Sequence, residues 1–138
     1  MKLAAELEAD LKIRDGEQHE TYAQLNKTGP LKYAIVAYDH EIPVGCGALR
    51  EYNDDSMEVK RMFVAVDKRK LGIATEILRL LEQLALYLKC KKLLLETGIN
   101  QPEAIQFYLK NGYRNVPKYD QYNNSENSIC FEKILFTS

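Results

Sequence analysis

Apolar and polar positions change period along the chain. Over residues 2–13, Leu3, Leu7 and Leu11 recur every four positions with Glu and Lys between them, which predicts a helix. Asp15-Gly16 closes it, a second short helix is predicted over 17–26, and Gly29-Pro30 marks a break before the first strand of the meander. Strands are predicted over 32–38, 42–51 and 56–66, separated by the turns Asp39-His40-Glu41 and Asn53-Asp54-Asp55, as an antiparallel meander. Pro43 belongs at a strand start or edge, because it cannot donate to a ladder. The strongest helical stripe lies in 69–89, where Ile73, Ile77, Leu81, Leu84 and Leu88 share one face, widened by Ala74, Leu78 and Ala85. Residues 92–97, centred on Leu93-Leu94-Leu95, read as an interior strand covered on both faces. A strand-helix-strand unit implies a right-handed parallel crossover. Gln101-Pro102-Glu103 opens another helix, Asn111-Gly112 ends it, and further strands are predicted over 113–117 and 128–135. The fold class is therefore α/β (α+β): a mixed central sheet with a meander, one parallel crossover and flanking helices.

Bulk properties narrow the function. A chain of 138 residues is read as one domain, 1–138. A net charge of -1 gives no global pull toward nucleic acid or an anionic membrane, and no apolar run approaches the ~20 residues of a membrane span. The first ten residues lack a signal-peptide core. Cys46, Cys90 and Cys130 are scattered and odd in number, which fits a reducing cytoplasm and small buried side chains better than a disulfide framework. His19 and His40 sit in polar surroundings and read as surface residues, and no metal-like spacing occurs.

The candidate chemistry centres on residues 58–74. An apolar-rich strand with Met62, Phe63 and Val64 runs into the basic turn Arg69-Lys70-Leu71-Gly72, and a helix begins at once with Ile73 and Ala74. Free backbone amides and positive charge at one place suit a phosphate-bearing ligand. Gly72 permits close approach, and Arg69 and Lys70, with Lys68 beside them, add charge. Strand alternation puts Glu58, Lys60, Met62 and Val64 on one face, so Glu58 and Lys60 could pair. Glu96 ends the buried-looking strand, where a carboxylate needs a partner or water. Gly45 and Gly47 mark a bulge, a ligand approach or close packing, and Tyr113, Tyr119 and Tyr122 suit a substrate rim and a dimer surface equally.

These segments resemble the GCN5-related N-acetyltransferase (GNAT) family. Arg69-Lys70-Leu71-Gly72-Ile73-Ala74 is similar to its Arg/Gln-x-x-Gly-x-Gly/Ala signature, and Ala104-Ile105-Gln106-Phe107-Tyr108-Leu109-Lys110-Asn111-Gly112-Tyr113 to its Ala-Ile-x-x-Tyr-x-x-x-Gly-Phe/Tyr segment. The closing strand looks like that of small bacterial members. The resemblance implies acetyl-CoA as donor and a small-molecule or peptide amine as acceptor. It places the pyrophosphate on residues 69–74 and the pantetheine arm along Met62, Phe63 and Val64, with the thioester between Val64 and Leu95. A backbone amide near Val64 would meet the oxyanion. Glu58 falls at the position of a catalytic glutamate in histone-acetylating relatives, with a solvated strand carboxylate as the alternative. Tyr108 falls at that of the tyrosine that protonates the leaving thiolate. Glu96 is a second candidate for the base, with acceptor binding or a structural role as the alternatives, and Glu96, Tyr113 and Tyr122 are the candidate acceptor contacts.

Two features depart from the pattern. Gln101 stands where many members carry an asparagine near the cofactor. The chain also reads as starting inside the family's first helix, without the opening strand. Such an absence would expose a sheet edge and favour a homodimer. The competing reading is a CoA-binding regulatory or interaction module without turnover.

Overall fold

The computed structural model describes residues 7–13, 33–69 and 71–135. These build a seven-stranded sheet in the order β1-β2-β3-β4-β5-β7-β6. Its strands are β1 (Leu7–Ile13), β2 (Tyr33–Asp39), β3 (Ile42–Asn53), β4 (Ser56–Val64), β5 (Lys92–Gly98), β6 (Arg114–Val116) and β7 (Ser128–Ile134). Helix α1 (Ile73–Tyr87) links β4 to β5, and helix α2 (Pro102–Lys110) comes after β5.

The opening segment corrects the sequence reading. Leu7–Ile13 is a strand paired antiparallel with β2, not part of a helix. A spacing of four is also an even number, so Leu7 and Leu11 fit the two-residue period of a strand as well as a helical turn. Strand β1 covers the edge that an absent opening strand would have left at β2, which removes that ground for a homodimer. The helix expected over 17–26 lies outside the described residues.

The meander forms as expected. The β2–β3 hairpin turns through His40 and Glu41 at φ 50 and 74, the left-handed values that favour a tight right-twisted hairpin. Helix α1 lies close on the sheet because β3 is bare beneath it. A Cβ on Gly47 would stand 2.9 Å from both Ile77 Cγ2 and Leu81 Cδ1, and one on Gly45 would stand 3.0 Å from Ile77 Cδ1. Packing against the helix thus explains both glycines. Ile73, Ile77, Leu78, Leu81 and Ala85 bury the predicted stripe, meeting Leu49, Val59, Leu93 and Leu95 in the core.

The other face of the sheet carries charge. Arg50 pairs across the ladder with Glu58, and Leu94, which pairs with Glu58, precedes Glu96 on β5. Alternation therefore sets Arg50, Glu58 and Lys60 on the face away from α1.

Candidate active site

The site is created by a failure of strand pairing. β4 and β5 run parallel for three registered pairs only, Ser56–Lys92 to Glu58–Leu94, and then separate. A cleft of about 680 Å³ opens beyond them, with Met62, Phe63 and Val64 on one wall and Gln101, Ala104 and Tyr108 on the other.

A bulge shapes the first wall. Cys46 pairs with Phe63 and Ala48 with Lys60, so Gly47 faces both Arg61 and Met62. Arg61 adopts φ 61, uncommon for a residue with a side chain. The extra residue reverses the alternation. Met62 turns to the α1 face, where its Sδ would lie 2.6 Å from a Cβ on Gly47. The expectation that Glu58, Lys60, Met62 and Val64 share one face therefore fails after Lys60. Past the bulge, Ala65 N–H donates to Val44 O at 2.8 Å, toward β3. The amide of Val64 consequently points the opposite way, into the gap left by β5.

The N-terminus of α1 closes one end of the cleft. Gly72 holds φ 86, a conformation that costs an L side chain energy, and its carbonyl accepts from Glu76 N–H at 3.0 Å. The amides of Ile73, Ala74 and Thr75 precede the first intrahelical donor and have no helical acceptor. All three residues line the cleft, as do Lys68 and Arg69. Arg69 donates through Nε to Val64 O at 3.0 Å and lies over the Phe63 ring at 5.9 Å. Lys68 is tied to Asp39 at 3.0 Å. Leu71 is exposed and does not line the cleft, contrary to expectation, and Lys70 lies outside the described residues. Gln101 holds the N-cap position of α2, with no capping hydrogen bond from its side chain, and lines the cleft, and its neighbour Asn100 lines it too.

A second pocket of about 410 Å³ adjoins the first, and Met62, Gln101, Ala104 and Tyr108 line both. Lys60, Arg61, Glu96 and Thr97 give it polar walls. Tyr108 stands at the junction. Its ring packs edge-on to Phe107 and Tyr113 at 5.1 and 5.7 Å, and burial pushes its phenol up to about 12. No hydrogen bond from that hydroxyl is found among the described residues. A buried, protonated, unpartnered phenol between two pockets is poised to give a proton or hydrogen bond to a bound molecule.

The two carboxylates are differently placed. Glu96 lines the second pocket, half-buried, with Oε2 accepting from Ser128 Oγ at 2.8 Å; Ser128 Oγ also bonds Ser125 Oγ at 2.9 Å. Glu58 lines neither pocket and is 0% exposed. Its Oε1 accepts from Arg50 Nε and Nη2 at 3.0 and 2.5 Å, and its Oε2 accepts from Tyr119 Oη at 2.7 Å. The Glu58–Lys60 pair exists at 3.9 Å but is subordinate to these bonds. Glu58, the leading base on sequence grounds, is thus walled off from the reaction space.

Two tyrosines also move. Tyr113 is buried, donates to Glu82 Oε2 at 2.9 Å and lines neither pocket, so it belongs to the core and not to an acceptor rim. Tyr122 sits one layer back, its Oη accepting from Lys60 Nζ at 2.7 Å. Tyr119 stacks edge-on between Tyr52 and Tyr122, each at 5.3 Å. Sequence reasoning missed the Tyr119–Glu58 contact, which joins residues 61 apart through a polar loop with no periodic signal. It also missed Arg61 and the role of Lys60 as pocket walls, since a bulge at a non-glycine residue leaves no mark in composition.

Comparison with known proteins agrees with this geometry. The model of the acetyltransferase (GNAT) family matches residues 3–113. An IAA acetyltransferase from Azospirillum brasilense is 36% identical over 102 residues, 73% of this chain and 67% of that protein. Among solved structures, a protein assigned as an acyl-CoA N-acyltransferase from Klebsiella pneumoniae is 28% identical with a TM-score of 0.79, covering 96% of this chain and 99% of that one. A GNAT family acetyltransferase from Elizabethkingia anophelis with acetyl-CoA bound shares the fold at 15% identity and a TM-score of 0.75, over 94% of this chain and 98% of that one.

Proposed function

The chain belongs to the acetyltransferase (GNAT) family, and we propose that it moves an acetyl group from acetyl-CoA to a primary amine by direct attack. The observation that carries this reading is the position of Tyr108, whose buried, unpartnered hydroxyl stands where the long cleft meets the polar pocket. The cleft fits the donor: free amides at the start of α1 and the cationic Arg69 suit a diphosphate, and the Val64 amide faces the gap where a thioester carbonyl would lie. When bound, acetyl-CoA supplies an activated acyl group on a thiol leaving group.

The chain's own residues divide the remaining work. Glu96 takes a proton from the acceptor ammonium, directly or through water, and passes it along Ser128 and Ser125 toward solvent. The freed amine forms the new C–N bond, its second proton leaves the nitrogen for solvent by the same route, and the C–S bond breaks. The Val64 amide hydrogen-bonds the carbonyl oxygen as charge grows on it. Tyr108 gives its proton to the departing sulfur and regains one from the medium. The net change converts an ammonium and a thioester into an amide, a thiol and one proton.

Glu58 acts one layer back: with Arg50 and Tyr119 it fixes the floor on which Lys60 stands. The reading is tested by thiol release from acetyl-CoA over a panel of amines. Amine-dependent release that falls at least tenfold in both Glu96→Gln and Tyr108→Phe supports it. Donor binding with no amine-dependent release would favour a binding module.

A further inference from the structure

The polar pocket has an electrostatic problem that its acceptor must solve. An amine reaches an enzyme mostly as a cation near neutral pH. The walls nevertheless carry two cations, Lys60 and Arg61, against one carboxylate, Glu96. Behind them Arg50 is bonded to Glu58 and stands 3.9 Å from Asp120, so its charge is met away from the pocket. Lys60 and Glu96 do not neutralise one another: both line the pocket, yet they form no ion pair within 4.0 Å, and Glu96 accepts instead from Ser128. Lys60 is held in place by Tyr122 Oη at 2.7 Å and stands 3.9 Å from a Glu58 oxygen already engaged by Tyr119. Burial, the largest influence, lowers the pKa of the Lys60 ammonium, and the Arg50 and Arg61 charges lower it further against the raising effect of Glu58 and Glu96. A half-buried cation in that state gains when an anion enters beside it. A simple amine or polyamine would add positive charge to walls that already have an excess of it.

We propose that the acceptor is an amino-carboxylate, its ammonium received by Glu96 and its carboxylate by Lys60, with Arg61 at the rim. One molecule then meets both separated charges and, unlike a simple amine, adds no net positive charge to the pocket. The carboxylate also orients the amine, because two fixed ends define its direction toward Tyr108 and the cleft. Lys60 is a specificity-determining residue in this arrangement. The inference rests on the reading of this pocket as the acceptor site.

The test is equilibrium binding of L-amino acids and their matched carboxamides to the CoA-saturated protein, with turnover followed in parallel. Tighter binding of the acids by about 10- to 100-fold is expected, the range of one charge-assisted contact. Lys60→Met should collapse the acid-to-amide ratio toward one, and Arg61→Asn, which tolerates the left-handed backbone, should reduce it in part. Equal binding of acids and amides, tighter binding of a polyamine such as spermidine, or an unchanged ratio in folded Lys60→Met would each overturn the proposal. Acid selectivity without any acetyl transfer would support the pocket assignment while contradicting the transfer reaction.

Discussion

Arg50→Met separates a structural carboxylate from a catalytic one. The substitution keeps much of the side-chain volume but leaves Glu58 charged and 0% exposed, with Tyr119 as its short-range donor and Lys60 at 3.9 Å. Breaking a buried pair in this way costs about 3–5 kcal/mol. For a domain of this size each kcal/mol moves Tm by roughly 2–5 °C, so a fall on the order of 10–20 °C is expected. Glu58→Gln should be destabilised for the mirror reason, since it removes the buried counter-charge of the guanidinium. The double variant Arg50→Met/Glu58→Leu removes both charges and should be less destabilised than either single change, leaving chiefly the Tyr119 hydroxyl to find a new partner at about 1–3 kcal/mol. Urea denaturation of wild type, Arg50→Met, Glu58→Leu and the double variant closes the cycle. A loss under about 1 kcal/mol in Arg50→Met, or a double variant that loses the sum of the singles, would refute the structural assignment. So would a fully stable Glu58→Gln that loses turnover by a factor near ~1000, for that would make Glu58 the base.

Other outcomes rest on the same geometry. Tyr108→Phe should lower kcat by about 10- to 1000-fold while the Kd for acetyl-CoA, read by calorimetry, changes little. Burial raises the Tyr108 phenol from 10.0 to about 12, so the folded state keeps a proton that the unfolded chain releases. Its contribution is complete below pH 10 and lost as pH rises toward 12, about 2–3 kcal/mol in all. Tyr113 and Tyr119 are raised as well, by burial first and then by Glu82 and Glu58. Urea midpoints measured across that window should therefore fall steeply in wild type and less steeply in Tyr108→Phe. Gly47→Ala sets a methyl 2.9 Å from Ile77 and Leu81; it should cost about 1–3 kcal/mol by thermal denaturation and weaken donor binding, because α1 carries the anion-binding amides. Gly72→Val, forced to φ 86, should reduce donor affinity at least tenfold with a smaller change in Tm.

Much of the fold is legible in the chain. The Ile73–Leu81 stripe, the apolar run Leu93-Leu94-Leu95 and the Gly72 turn each point to a single structure, because period, composition and turn chemistry agree there. The opening strand reads as a helix because Leu3, Leu7 and Leu11 satisfy both a helical and a strand period, and only pairing with β2 decides between them. The site is half visible. Its donor-side residues lie on contiguous segments, so spacing reveals them. The acceptor side depends on the bulge at Arg61, which reverses alternation after Lys60, and on contacts from residues 119–128 that meet β4 and β5 only in three dimensions. Glu58 shows the limit most clearly. Its place in the strand can be read from the local pattern, whereas its complete enclosure by Arg50 and Tyr119 is a tertiary property.

Donor binding by the amides at the start of α1 and the gap beyond β4 underlies every step assigned above. Isothermal titration of acetyl-CoA, with a parallel thermal melt, measures it. Saturable heat at one ligand per chain is expected and, at a hundredfold excess over Kd, stabilisation of about 2.7 kcal/mol, of which Gly72→Val at the same ligand concentration removes about half or more. Absence of both heat and stabilisation at millimolar acetyl-CoA, in protein that melts cooperatively, would contradict it.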